Sequence, residues 1–222
     1  MNVRLKEIVE SVNKVVHRSV QQESVSKFLN SHLYRPYQTI RQNDIIPKLN
    51  NLGRRPEQVF FSWMRGHVFT NYFIKALGII FVVDPSQIAV IGDDDLKTPE
   101  TFKKTPKADL EIPMKTGRRL RVEVQCGFTG TNDIKQHKVL EAKRIFREEG
   151  IHSMAVHFDI FNGQVAFIPI DQIQDNDINW ITRQQMEGQT VFNIDQNFFT
   201  WKLTQAPRQY DEMDFGDARW PD

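Results

Sequence analysis

The most regular hydrophobic pattern in the chain is a two-residue alternation on either side of a polar turn at residues 115–117. Alternation of apolar and charged side chains is typical of half-buried strands, so the two segments predict a hairpin. With the turn centred near Thr116, Asp109 lies opposite Glu123 and Glu111 lies opposite Arg121. The apolar residues of both strands then share the other face: Leu110, Ile112, Leu120, Val122, Val124 and Cys126.

Apolar residues at helical spacing predict helices in the first part of the chain. The pattern indicates a helix near residues 3–20, a short one near 25–33, and a long one over 57–77 that Gly78 ends. Prolines at both ends of residues 34–47 predict a loop there. The long helix carries a broad apolar stripe, which indicates packing against a sheet.

The remaining elements are read from β-branched runs and from helix boundaries. Residues 79–83 predict a first core strand, which residues 88–91 extend or pair with. After the hairpin, a helix over 133–149 ends at Gly150. Strands at 153–161 and 164–170 follow, with Asn162-Gly163 predicting a type I′ turn between them, and residues 191–203 add a further strand.

Composition and charge narrow the class of protein. The chain has 222 residues, 40% of them hydrophobic, which is enough for a substantial core in one domain. Its single cysteine excludes an internal disulfide framework, and its longest apolar run is too short to cross a membrane. We therefore expect a soluble protein of the cytoplasm. The net charge of +1 gives no indication of nucleic-acid binding, so any nucleic acid would have to bind to a local strip of basic residues.

The hairpin carries the candidate chemistry. It brings the carboxylates of Asp109 and Glu123 together, and like charges repel unless a cation or a proton lies between them. Magnesium prefers oxygen ligands, commonly one or two carboxylates with waters and phosphate oxygens. Basic residues surround the pair, which suits a metal site that meets a phosphodiester backbone. The candidate nucleic-acid contacts are Lys103, Lys104, Lys107, Arg119, Lys135 and Lys138.

Asp109 on one strand and Glu123-Val124-Gln125 on the next resemble the active-site signature of the PD-(D/E)xK nuclease superfamily. The usual third residue there is Lys, and Gln125 stands in its place, as in a minority of type II restriction endonucleases. No proline directly precedes Asp109, and Thr70 stands where the preceding helix of many such nucleases has a Glu. The aspartate run at 93–95 is a rival metal site, but its spacing matches no calcium loop.

The resemblance implies a restriction-endonuclease-like α/β core, αβββαβ, over residues 57–172, with a helical region at 1–56 and an extension at 173–222. It implies a Mg2+-dependent endodeoxyribonuclease that cleaves double-stranded DNA as a homodimer in a prokaryotic cell, without a nucleotide cofactor. Asp109, Glu123 and the Val124 carbonyl would hold the metal. Gln125 would hydrogen-bond the attacking water or a phosphate oxygen, because an amide cannot act as a base at neutral pH.

Three alternatives remain open at this point. The first is a structure-specific or repair nuclease of the same superfamily. The second is a non-catalytic DNA-binding protein with a decayed site, since the motif Lys and the helix Glu are both replaced. The third is an interaction module whose charged hairpin faces solvent, because acidic and basic residues on one face often form ordinary surface pairs. Glu111 is either a ligand of a second metal or, as we favour, a partner of Arg121.

Overall fold

The computed structural model describes residues 2–49, 55–91, 96–97, 108–184 and 188–213. Its helices are α1 (Asn2–Val15), α2 (Val25–Leu29), α3 (Arg35–Gln42), α4 (Pro56–Phe81) and α5 (Gln136–Glu149). Its strands are β1 (Ala89–Val90), β2 (Leu110–Pro113), β3 (Arg119–Gly127), β4 (Asp133–Lys135), β5 (His152–Asp159), β6 (Gln164–Pro169), β7 (Trp180–Arg183), β8 (Gln189–Asn193) and β9 (Phe199–Lys202).

The strands form two sheets. The central sheet has six strands in the order β1-β2-β3-β5-β6-β9, and the smaller sheet has three in the order β4-β8-β7. Strands β3 and β5 run parallel, joined by a crossover that contains α5, and their neighbours in the central sheet pair antiparallel. The protein is therefore an α/β protein with a mixed central sheet flanked by helices, as the sequence predicts at this level.

Both faces of the central sheet are covered. One face carries Val122 and Val156, which pack in a large core with α4 and the N-terminal helices. The other face carries Ala155, which packs with Ala142 of α5 in a smaller core. Because side chains alternate along a strand, the polar residues of β3 lie on the α5 face. Strands that are buried on both faces are typical of parallel pairs. Here the α5 helix covers the face of β3 that carries its charged side chains.

The predicted hairpin register is confirmed. Leu110 pairs with Val122 and Glu111 pairs with Arg121. At the turn, Gly117 has a φ of +78°, and its N–H donates to the Met114 carbonyl at 2.9 Å. The left-handed conformation is one that glycine adopts without a steric penalty, so the turn chemistry and the alternation agree.

The predicted strand at residues 79–83 is wrong, because α4 continues to Phe81. Gly78 is not the helix cap; it lies buried within α4, where a Cβ would come within 2.9 Å of Pro85 Cγ and of the Val83 carbonyl oxygen. The helix ends instead at Val82, whose φ is +54°. The apolar run is the buried stripe of the helix, and the glycine allows the chain to turn back tightly against it.

The loop predicted for residues 34–47 is wrong in part, since α3 occupies Arg35–Gln42. A π-helical turn, Asn30–Tyr34, joins α2 to α3 and ends just before Pro36. Pro36 has no N–H and crowds the preceding turn of a regular helix, and a widened turn accommodates both effects. Pro36 therefore marks a local change of helix geometry rather than the end of the helical region.

Two boundaries after the hairpin also differ from the prediction. The helix predicted from residue 133 begins at Gln136, because Asp133–Lys135 pairs with β8 instead. The turn between β5 and β6 is not a two-residue turn: residues 160–163 form it, and the Gly163 N–H donates to the Asp159 carbonyl at 2.8 Å. Among the described residues, no helix is both long and apolar enough to cross a bilayer.

Candidate functional site

Asp109 lies immediately before β2, where the hairpin opens. Its N–H donates to the Val122 carbonyl at 3.1 Å, which continues the ladder by one more bond. Its carboxylate turns onto β3, and Oδ2 accepts the Val124 N–H at 2.8 Å. The backbone of β3 therefore holds this carboxylate in a fixed position.

Glu123 lies in the middle of β3, on the face that α5 covers. It is 8% exposed, and its Oε2 accepts a hydrogen bond from Lys138 Nζ at 2.8 Å. Burial raises the pKa of Glu123, and Lys138 offsets only part of that effect. A buried carboxylate of this kind requires a cation or a proton beside it.

Lys138 joins the two acidic residues into one site. Burial acts to lower its pKa, but the carboxylates of Glu123 and Asp109 outweigh that effect, so the pKa is raised. A single ammonium from the first turn of α5 thus interacts electrostatically with both predicted ligands. Lys138 is therefore a cation within the chain that offsets the repulsion expected between the two carboxylates.

Val124 supplies a backbone oxygen at the same place. Its N–H donates to the carboxylate of Asp109, the residue just before the first residue of β2. In an extended strand, the N–H and C=O of one residue point toward the same edge. The Val124 carbonyl is therefore on the Asp109 side of β3.

A small cavity of about 10 Å³ lies beside the ion pair, and its lining includes Ala108, Glu123, Lys138 and Ser153. Ser153 is 3% exposed, and within the described part of the chain its Oγ has no hydrogen-bond partner. A buried hydroxyl without a partner is costly, and a cavity of this size is close to what one water molecule needs. The hydroxyl therefore marks a place for a further oxygen or a hydrogen-bonding group next to Glu123.

Gln125 is two residues beyond Glu123 on the same face, but it faces a different group. Its Oε1 is 3.5 Å from Nδ1 of His157, the residue that pairs with it on β5. His157 Nε2 lies 2.8 Å from Asn132 Oδ1, and Asn132 donates to Asp159. The third motif residue is thus connected to a chain of buried polar groups rather than to Lys138.

The other predicted residues lie at varying distances from this centre. Glu111 accepts a hydrogen bond from Arg119 at 3.1 Å and lies 3.9 Å from Arg121, its favoured partner, which is closer to Glu149 at 2.8 Å. Lys135 is the last residue of β4, just before α5. The structure places Lys138 in the acidic pair rather than on an open surface. Three further predicted contacts lie outside the described residues: Lys103, Lys104 and Lys107. The rival acidic run at 93–95 does as well.

Sequence reasoning missed that Lys138 belongs to the centre of the site. The signal was present in the helix pattern, because Lys138 is four residues before Ala142 and seven before Ile145. Residues at those spacings share one helix face, and Ala142 and Ile145 are buried. Ser153 and His157 have no comparable signal, since each is placed by the pairing of β3 with a strand some thirty residues later.

The oxygens at this site make up a hard donor set: two carboxylates, a strand carbonyl and a hydroxyl. No cluster of three or more His, Cys, Asp or Glu side chains with metal-binding geometry occurs in the part of the chain that the structure describes. No protein-family model matches the chain, and a comparison with curated proteins finds no match. The function of the protein is therefore inferred from the geometry of the site and from the motif.

Proposed function

We propose that the protein is a Mg2+-dependent endodeoxyribonuclease of the PD-(D/E)xK type, acting on double-stranded DNA in the manner of type II restriction enzymes. The observation that carries the proposal is the placement of Asp109 opposite Glu123 on the hairpin, with Lys138 Nζ 2.8 Å from Glu123. Nucleases of this type usually have a lysine next to the second acidic residue. Here Gln125 occupies that position of the motif, and a lysine reaches Glu123 from α5.

The donor set fits Mg2+. Two carboxylates with a backbone carbonyl leave several positions for water and phosphate oxygens, which is how magnesium is commonly held in enzymes of phosphate chemistry. Asp109, Glu123 and Val124 would hold the ion, and the unpartnered Ser153 hydroxyl shows that the pocket has a polar group still to satisfy. Bound Mg2+ supplies positive charge at the scissile phosphate and a lowered pKa for an attacking water.

The residues of the chain contribute separately to hydrolysis. Asp109 is fixed by its hydrogen bond to Val124, so its carboxylate needs no reorganisation when substrate arrives. The Lys138 ammonium is held at Glu123, so its positive charge is fixed beside the carboxylates that would bind the metal. Gln125 is neutral and orients rather than exchanges protons. Together these groups bind, position and neutralise the phosphodiester.

The order of elements supports the same assignment. Helix α4, the antiparallel strands β1 to β3, helix α5 and the parallel strand β5 follow one another as αβββαβ, with β4 inserted before α5. That order agrees with the order of elements that the resemblance implies for a restriction-endonuclease-like core, and it supports the proposal to that extent. We further propose that the protein acts as a homodimer, because a two-fold pair is the simplest way to cut both strands of a palindromic site.

One observation favours a second function, a DNA-binding protein that no longer cleaves. The Lys138–Glu123 pair already supplies a cation to the acidic residues, and Thr70 is buried in α4 where many nucleases of this superfamily have a Glu. If the pair is a purely structural ion pair, DNA binding survives and catalysis does not. The two functions share the site and differ in whether the lysine is accompanied by a metal.

Incubation of the protein with phage DNA and Mg2+ distinguishes these possibilities. The proposed function predicts a limited set of discrete fragments that disappears when the metal is chelated. A structure-specific nuclease would leave the linear duplex intact and cut branched or mismatched DNA instead. A binding protein would retard the DNA in a gel at low salt without cutting any substrate, and an interaction module would neither bind nor cut.

A further inference from the structure

A buried carboxylate fixes the orientation of the groups behind Gln125. Asp159 is buried, and it accepts hydrogen bonds from the Asn162 side chain at 2.7 Å and from Asn132 Nδ2 at 3.1 Å. Burial alone would raise the pKa of Asp159, but these hydrogen bonds outweigh it and the pKa is lowered. Asp159 is therefore an ionised carboxylate that only accepts hydrogen bonds.

Asn132 transmits that constraint to His157. Since Asn132 must turn its NH2 group toward Asp159, its Oδ1 faces His157 Nε2, at 2.8 Å. An amide oxygen has no hydrogen to donate, so the hydrogen on this bond belongs to Nε2 of His157. The tautomer of the imidazole is thus set by a carboxylate that it does not touch.

The surroundings of the His157 ring disfavour its doubly protonated, charged form. The ring is 3% exposed, and its Nδ1 is 3.5 Å from Gln125 Oε1, a distance longer than the hydrogen bond that a charged imidazolium N–H would donate. With its hydrogen on Nε2, the neutral ring presents a bare lone pair at Nδ1. The group beside Nδ1 is the Gln125 amide, whose Oε1 is 3.5 Å away. Two acceptors do not bond, whereas a half-turn of the amide brings its NH2 group to the lone pair.

We propose that His157 is a positioning residue: it accepts a hydrogen bond from the Gln125 amide N–H and thereby turns the Gln125 oxygen away from β5, to serve as an oxygen ligand or acceptor beside Glu123. The hydrogen bonds along Asp159, Asn132, His157 and Gln125 have one consistent assignment of donors and acceptors. In that assignment, the oxygen of the Gln125 side chain points away from β5. Metal-site partners of this kind fix the orientation of the groups they contact and tune them.

This inference rests on the proposed function, and it changes the role of one residue in it. A Gln125 that presented its NH2 group could only donate to a phosphate oxygen. A Gln125 that presents its oxygen adds a third side-chain oxygen to those of Asp109 and Glu123, and it can also accept a hydrogen bond from the attacking water. Loss of the side chain should then weaken Mg2+ binding as well as slow cleavage.

The tautomer is measured first, by 15N NMR of the histidine rings in the wild-type protein without metal or DNA, with His157 assigned from a variant. The expected result is a hydrogen on Nε2 and an unprotonated Nδ1 at neutral pH. A hydrogen on Nδ1 in the wild-type protein would overturn the proposal, whatever the protein does to DNA.

The positioning role is measured next, by calorimetric titration of Mg2+ in the absence of DNA. His157→Phe should weaken Mg2+ binding by roughly tenfold, in the range for partners of metal ligands. His157→Gln, which can donate to Asn132 and accept from Gln125, should restore it. His152→Phe is the matched control, because His152 lies on the same strand and pairs with Asp171 instead.

The two failures are distinguishable. Unchanged Mg2+ affinity in His157→Phe, with the expected tautomer in the wild-type protein, would overturn the positioning role and leave the proposed function standing. A wild-type protein that binds no Mg2+ would overturn the proposed function together with the ligand role of Gln125.

Discussion

Replacing Lys138 by Met tests whether the site depends on a buried ion pair. The substitution keeps the length of the side chain and removes its charge. It leaves Glu123, whose side chain is 10% exposed, without the ammonium that lies 2.8 Å from it. We expect a clear fall in the free energy of unfolding, because removing one partner of a buried pair leaves an uncompensated charge.

The magnitude follows from the alternatives open to Glu123 in that variant. A carboxylate left buried and charged costs roughly 3–5 kcal/mol. Glu123 can instead take up a proton, and from its ordinary pKa of 4.5 this costs about 1.4 kcal/mol per pH unit. Protonation limits the loss to about 3 kcal/mol at pH 7 and below about 1 kcal/mol at pH 5. Because burial raises the folded-state pKa of Glu123, stability is retained at low pH and lost as the pH rises.

Urea unfolding of wild type and variant at the two pH values measures the effect. Lys143→Met is the matched control on the same helix, since Lys143 pairs with Asp175, whose side chain is 86% exposed, and such surface pairs are worth about 0–1 kcal/mol. Adding Glu123→Gln to Lys138→Met should recover most of the loss by removing the buried charge. A Lys138→Met variant that is no less stable than the Lys143→Met control, or whose loss does not depend on pH, would refute the reasoning.

Three further predictions concern catalysis, pH and packing. Asp109→Asn, which keeps a hydrogen-bond acceptor but removes the charge, should abolish cleavage and leave DNA retardation in gels largely intact. The pKa of His157 is lowered from 6.5 to about 4, so the free energy of unfolding should fall by about 3 kcal/mol as the pH falls from 6.5 to 4. Calorimetry should find that this pH dependence is absent in His157→Gln. Gly78→Ala should destabilise by about 1–3 kcal/mol through contact with Pro85, whereas Gly66→Ala, with open space around it in the same helix, should be neutral or stabilising by up to about 1 kcal/mol in thermal unfolding.

The hairpin was predictable because its information is local. Alternation in two short segments and a glycine turn between them determine the pairing of Leu110 with Val122, and either segment alone gives the same register. The opposite placement of Asp109 and Glu123 follows directly from that register. The part of the site that depends on two adjacent strands was therefore accessible from the sequence.

The parts of the site that depend on packing between distant segments could not be predicted from the sequence. Lys138 reaches Glu123 only because α5 crosses back over β3 to enter β5, and its sequence pattern is that of a basic helix face as well as a buried one. The apolar run at 79–83 has the composition of a strand, but its first residues are the last turn of α4, which ends at Phe81. The small sheet of β4, β7 and β8 forms from short segments whose partners are far apart in the chain.

The most direct test of the account is the conversion of supercoiled plasmid across a Mg2+ titration, with wild type, Asp109→Asn and Asp175→Asn compared as folded proteins. Asp175 is the control carboxylate, exposed and paired with Lys143 outside the site. The account predicts Mg2+-dependent cleavage by wild type and by Asp175→Asn, and none by Asp109→Asn. Cleavage by Asp109→Asn at the wild-type rate, or none by the wild-type protein at any Mg2+ concentration, would contradict it.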